Sequence, residues 1–146
     1  VYTVPTPTPA PAPAVTPTPA PVPLATTLKS ISTPVAAAFK TLKFSHVLGQ
    51  GHSTITIPIS QVGTYTVTIN YRTSTKADYK SIAKGAIIVK TPGKTTYLPI
   101  KPNAYGKSTY AKIKKSKKST INVQIVVTFE TGGKTVSTTF TRKFQK

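Results

Sequence analysis

With 146 residues, no cysteine and a formal net charge of +18, the chain can hold neither a disulfide framework nor a thiolate metal site, and a charge of that size is expected to draw it to polyanions. Its 20 Lys and Arg stand against two acids, Asp78 and Glu130, which lie too far apart in sequence to read as a paired-carboxylate catalyst. All but Arg72 and Arg142 of those bases are lysine, a solvated point charge, so non-specific electrostatics are expected rather than geometry-reading contacts.

The first element is an arm. No residue before Lys29 carries a charged side chain, and proline recurs at Pro5, Pro7, Pro9, Pro11, Pro13, Pro17, Pro19, Pro21 and Pro23, with Val15 the one interruption. Proline fixes φ and removes a backbone donor, so residues 1–27 are expected to be extended and outside any core. In an extended chain, residues of one parity send their N–H groups to one edge. The odd edge is nearly without donors, while even residues such as Thr6, Thr8, Ala10 and Ala12 keep theirs. The arm can therefore pair along one side of a sheet and cannot propagate pairing on its other side. As polyproline II it would reach about 70 Å. It is a strap or a spacer, and Pro5 to Pro23 with Val15 are its candidate subunit contacts.

Residues 28–146 are expected to form one basic domain. "STPVAAAF", Ser32 to Phe39, reads as a single helical turn with Thr33 as cap and Pro34 in its first position. From there the pattern turns to strands. Ile55, Ile57 and Ile59 alternate with polar residues, as do Tyr65, Val67, Ile69 and Tyr71. "GAIIVK" and "TTYLPIK" bracket the turn dipeptide Pro92–Gly93. "STINVQIVVTFE" and "TVSTTFTRKF" flank Gly132–Gly133, a pair suited to a primed hairpin turn. A two-residue loop sets Phe129 opposite Val136, Ile125 opposite Phe140 and Ile121 opposite Phe144, which aligns the two apolar sets. Seven or eight short strands with almost no helix predict an all-β fold, an antiparallel β-sandwich or barrel carrying an extended arm.

Sites of chemistry are scarce. His46 and His52 flank "VLGQG", and with Asp78 they match no standard ligand or triad pattern. "PGKTT" ends like a phosphate loop, but Ile88 stands where the upstream glycine is needed. No cofactor and no metal is expected. The segment with functional weight is "YGKSTYAKIKKSKKS", read as a strand and the turn after it. Lys107, Lys112, Lys114, Lys115, Lys117 and Lys118 crowd it, with Tyr105 and Tyr110 interleaved. Lysines near aromatic rings can track a phosphate backbone while bases stack on the rings. The same lysines can equally be a solvated turn that discourages edge-to-edge aggregation.

"GTYTVTINY", Gly63 to Tyr71, resembles the late strand of immunoglobulin-like domains, which implies an immunoglobulin-like sandwich; a jelly roll is the competing topology. The proline-alanine and proline-threonine runs joined to a basic β domain resemble minor capsid or coat-associated proteins of large double-stranded DNA viruses. Similar runs occur in bacterial cell-wall-spanning surface proteins. These resemblances imply a non-enzymatic structural protein, a virion minor capsid or cement component. Its arm would strap onto other protein subunits and its basic body would sit on an acidic protein surface. Two alternatives stay open: a polyanion- or nucleic-acid-binding module using the Lys112 to Lys118 patch, and an extracellular filament or cell-surface adhesin subunit. No run approaches the roughly 20 apolar residues of a membrane span.

Overall fold

The computed structural model describes residues 1–13, 23–49, 53–59, 61–93 and 95–146. Residues 1–13 are exposed and carry no regular secondary structure, Pro5, Pro7, Pro9, Pro11 and Pro13 among them. Val15, Pro17, Pro19, Pro21 and His52 lie outside the described residues. Pro23 has φ −56° and ψ 139°, close to polyproline II, and it starts the first helix. Its carbonyl accepts from the N–H groups of Thr26 (3.0 Å) and Thr27 (3.2 Å).

That helix, α1 (Leu24–Thr41), is 18 residues long. It replaces the single turn expected from Thr33, and it absorbs Leu24 to Thr27, the last four residues assigned to the arm. Leu28, Ile31, Val35 and Phe39 recur at helical spacing and are all buried. Pro34 sits inside the helix, where a proline costs about 3 kcal/mol. Burying four large apolar side chains is worth about 6 to 12 kcal/mol, so packing outweighs the break. Thr33 is no cap: its hydroxyl donates back to the Lys29 carbonyl (3.2 Å), as does that of Ser32 (3.2 Å). After α1, Phe44 and the π-helical turn Ser45–Gly49 bury Phe44, Val47 and Leu48.

Among the described residues six strands follow: β1 (Ser53–Pro58), β2 (Gly63–Tyr71), β3 (Lys80–Val89), β4 (Thr95–Pro102), β5 (Thr120–Thr131) and β6 (Lys134–Gln145). They form one antiparallel sheet in the order β1-β4-β3-β2-β5-β6, curled into a half-barrel. The fold is thus all-β and antiparallel, as the alternating threonine and isoleucine runs require. The sequence expectation of almost no helix fails, because α1 and a second helix, α2 (Ala104–Lys115), pack on the sheet. α1 touches both edge strands, β1 and β6, as well as β5, and so bridges the open side of the half-barrel. Phe39 of α1 stacks on Phe144 of β6 with centroids 5.6 Å apart.

The β5–β6 hairpin has the predicted register residue for residue, Phe129↔Val136, Ile125↔Phe140 and Ile121↔Phe144. Gly132 (φ 56°) and Gly133 (φ 75°) supply the positive φ of the turn. β3 and β4 are present where expected but do not close into a full hairpin. Their ladder holds only at Ala83↔Pro102 and Lys84↔Lys101; beyond it β3 stays on β2 and β4 leaves to pair with β1. Gly85 permits this fork, since a Cβ there would lie 2.3 Å from the Pro99 carbonyl oxygen.

Candidate polyanion interface

The lysine-rich segment is helix α2 and not the strand and turn that its alternation suggested. Pro102 ends β4, and Asn103 then caps the helix, its Oδ1 accepting the Gly106 N–H at 2.7 Å. The same side chain donates from Nδ2 to the Ser81 carbonyl (2.7 Å), and the Asn103 N–H donates to the Ile82 carbonyl (3.0 Å). One residue therefore both starts α2 and fastens it to β3. Gly106 completes the docking: a Cβ there would meet the Ile82 oxygen at 1.9 Å, so only glycine lets the helix land on the strand.

The inward arc of α2 comprises Gly106, Thr109 and Ile113, buried, with Tyr105 and Tyr110 half-buried beside them. The two tyrosines thus flank the buried arc of the helix. Tyr110 lies edge-on to Phe44 (6.0 Å) and over Gly49, and Tyr105 packs on the core with the Lys80 ammonium 5.6 Å from its ring. Tyr110 is held against Phe44 and Gly49, and Tyr105 is packed on the core along one side. Lys107, Lys112, Lys114 and Lys115 occupy the solvent arc, and Lys117 and Lys118 follow in the link to β5; all six are exposed. Lys112, Lys114 and Lys115 fall in the last turn, where cations complement the helix dipole. Lys146 adds a seventh cation there, donating from Nζ to the Lys114 carbonyl at 3.0 Å.

Two of these lysines reach a cleft that the sequence reading missed. A hollow of about 330 Å³ lies between the β2–β3 loop and the start of β5, walled by Arg72, Thr73, Ser74, Thr75, Tyr79 and Lys118. A second of about 240 Å³ adjoins it, shares Tyr71, Thr73 and Lys118, and extends to Lys112 and Tyr105 on α2. A third shares Arg72, Tyr79 and Asn122 and brings in Arg142 and Lys143 of β6. The Arg72 guanidinium is held 4.5 Å over the Tyr79 ring and donates to the Thr75 carbonyl (3.3 Å). No acidic side chain lines any of the three. Five cations and a row of hydroxyl donors thus share one end of the half-barrel, an arrangement that accepts phosphate, sulfate or carboxylate oxygens. Lys107, Lys114, Lys115 and Lys117 lie outside the cleft, on the helix beside it.

The remaining titratable candidates that are described lie on separate elements. His46 is half-buried in the π-helical turn and Asp78 is exposed in the β2–β3 loop. Among the described residues no three His, Cys, Asp or Glu form a group that could hold a metal ion, and no helix is long and apolar enough to cross a membrane. Compared with family models, curated proteins and solved structures, the chain matches none.

Proposed function

We propose that this chain is a non-enzymatic structural subunit of a multi-subunit assembly, a minor capsid or cement component of a virion. Its cationic body sits on an acidic surface and its uncharged arm ties it to neighbouring subunits. The observation that carries the reading is the division of charge along the chain. All 20 bases lie after residue 28, where at most two of them can be neutralised by Asp78 and Glu130, and the arm has none. A body of that charge repels its own copies and is drawn to polyanions, while the arm can approach another body without a like-charge penalty.

Sedimentation velocity of the full chain with polyglutamate, an acidic polypeptide surface, tests this. The expected result is a salt-reversible complex in which bound chains also contact each other. Absence of binding at low salt, or bound chains that never contact one another, contradicts the proposal.

A second reading, binding of nucleic acid, is favoured by the cleft around Arg72, Lys112 and Lys118. With Tyr110 held against Phe44 and Tyr79 covered by Arg72, the contacts are chiefly to the phosphate backbone, and Tyr105 is the one ring left at the cleft wall. Competition between duplex DNA and polyglutamate for the full chain separates the two readings.

A further inference from the structure

β6 is an edge strand of 12 residues, and among the described residues no strand pairs with its outer side. Among the described residues, the one backbone partner on that side is Lys43, bridged to Gln145 at the far end. In a two-residue hairpin closed by Thr131↔Lys134, the residues facing each other at the turn exchange both backbone bonds, and the pattern alternates from there. Even-numbered residues of β6 therefore bond to β5. Odd-numbered residues, Thr135, Ser137, Thr139, Thr141 and Lys143, point their N–H and C=O groups outward. The other edge strand, β1, is half as long and ends in Pro58, which has no donor.

Beside this open edge runs a groove of about 370 Å³ between α1 and β6, lined by Ser32, Thr33, Ala36, Ala37 and, at its end, Lys40 on one wall and by Thr138, Phe140 and Arg142 on the other. The small helix side chains leave room next to the half-buried Phe140. The Arg142 Nε, also in this wall, is buried without a hydrogen-bond partner.

We infer that this edge and groove receive the N-terminal arm of a second copy of the chain, laid antiparallel to β6 with its even-numbered residues opposite the odd-numbered residues of β6. The inference rests on the strap reading above and names the strap's seat. Three matches carry it. First, the donors agree: Thr6, Thr8, Ala10 and Ala12 have N–H groups on one edge, and the prolines leave the other edge blank. The added strand completes β6 and ends the sheet there. Second, the side chains agree: directly opposed residues in an antiparallel pair share a face, so the arm's threonines and alanines fall beside Thr135, Ser137, Thr139 and Thr141. The prolines then fall on the inner face, in the groove against Phe140, Ala36 and Ala37. A parallel arm would reverse this and put prolines on the threonine-rich face. Third, the lengths and charges agree: Val4 to Ala12 spans as many residues as Thr135 to Lys143, and the uncharged arm approaches a +18 body that repels the body of any other copy.

The absence of cysteine makes the test direct. One batch of full-length chain carries T8C, and separate batches carry T135C, S137C, T139C or T141C, with T54C on β1 as control. Mixed and oxidised in pairs, they are expected to give interchain disulfides concentrated at one odd position of β6. Replacing T8C by T6C is expected to move that maximum by two residues toward Lys143, the signature of an antiparallel register. Disulfides spread evenly over all positions, or found at β1, overturn the inference, and so does a bond that forms only when both cysteines are in the same chain. If β6 gives nothing while excess synthetic peptide of residues 1–13 still dissolves chain–chain contacts, the seat is wrong and the strap reading survives. If the peptide also changes nothing, both fall.

Discussion

Replacing Gly106 by alanine separates a docked α2 from a free one by the sign of its effect. Alanine is the better helix former by about 1 kcal/mol, so in an undocked helix the change stabilises. In this fold the added Cβ lands 1.9 Å from the Ile82 carbonyl oxygen and 2.8 Å from its carbon, where ordinary contact begins at 3.4 Å. Both are backbone atoms of a paired strand, so α2 must retreat by about 1.5 Å at that turn. The retreat strains the Asn103 bonds to Ser81 and Ile82 and lifts Thr109 and Ile113 from the core. Overpacking of this kind costs about 1 to 3 kcal/mol and a weakened cap about 1 kcal/mol more. Set against the propensity gain, the net expected loss is about 1 to 3 kcal/mol. Urea denaturation followed by circular dichroism reads it as a lower midpoint at unchanged slope. Ser108→Ala, on the exposed arc of the same helix, is the control and should change stability by less than about 0.5 kcal/mol. A Gly106→Ala variant as stable as the parent or more so would refute the close approach and the placement of the lysine arc built on it.

Phe39→Ala removes the side chain that stacks α1 on Phe144 across the open side of the half-barrel, and a loss of about 3 to 5 kcal/mol is expected by thermal or urea denaturation. Burial holds the Tyr65 phenol above its ordinary value of 10.0, so the folded state keeps a proton that the unfolded state gives up. That contribution is complete below pH 10 and is lost as pH climbs through the folded value. Tyr65→Phe should therefore flatten the fall in melting temperature above pH 10, while costing the bond to the Gln61 carbonyl at neutral pH. Changing Arg72 and Lys118 together to glutamine should reduce the slope of log affinity against log salt on duplex DNA by about 1.8, a loss of two phosphate contacts. Lys134→Gln, at the hairpin turn away from the cleft, should leave that slope unchanged.

The hairpin was legible because two independent signals agreed: Gly132–Gly133 fixed the turn, and the apolar parity of Ile121 to Phe129 fixed the register. The helices were hidden by single residues that speak against them locally. Pro34 masked the spacing of Leu28, Ile31, Val35 and Phe39, whose burial overrides it. In α2 the helix signals were Asn103 after Pro102 and the four-residue spacing of Tyr105, Thr109 and Ile113, but lysine, threonine and tyrosine suit an edge strand as well. The charge of the Lys112 to Lys118 stretch could be read from the chain. Its cleft could not, because Arg72 and Tyr79 are remote in sequence and reach Lys118 only through the β2–β5 ladder that sets Tyr71 beside Val123.

The proposed role divides the labour between an uncharged strap and a cationic body. A nitroxide attached at Thr8→Cys, the one cysteine in the full chain, reports it most directly by electron paramagnetic resonance. With the protein assembled at low salt on polyglutamate, the account predicts a broad, immobilised spectrum that sharpens when salt releases the complex. A spectrum as sharp as that of the free, labelled 1–13 peptide, recorded while the bodies remain bound, would contradict it.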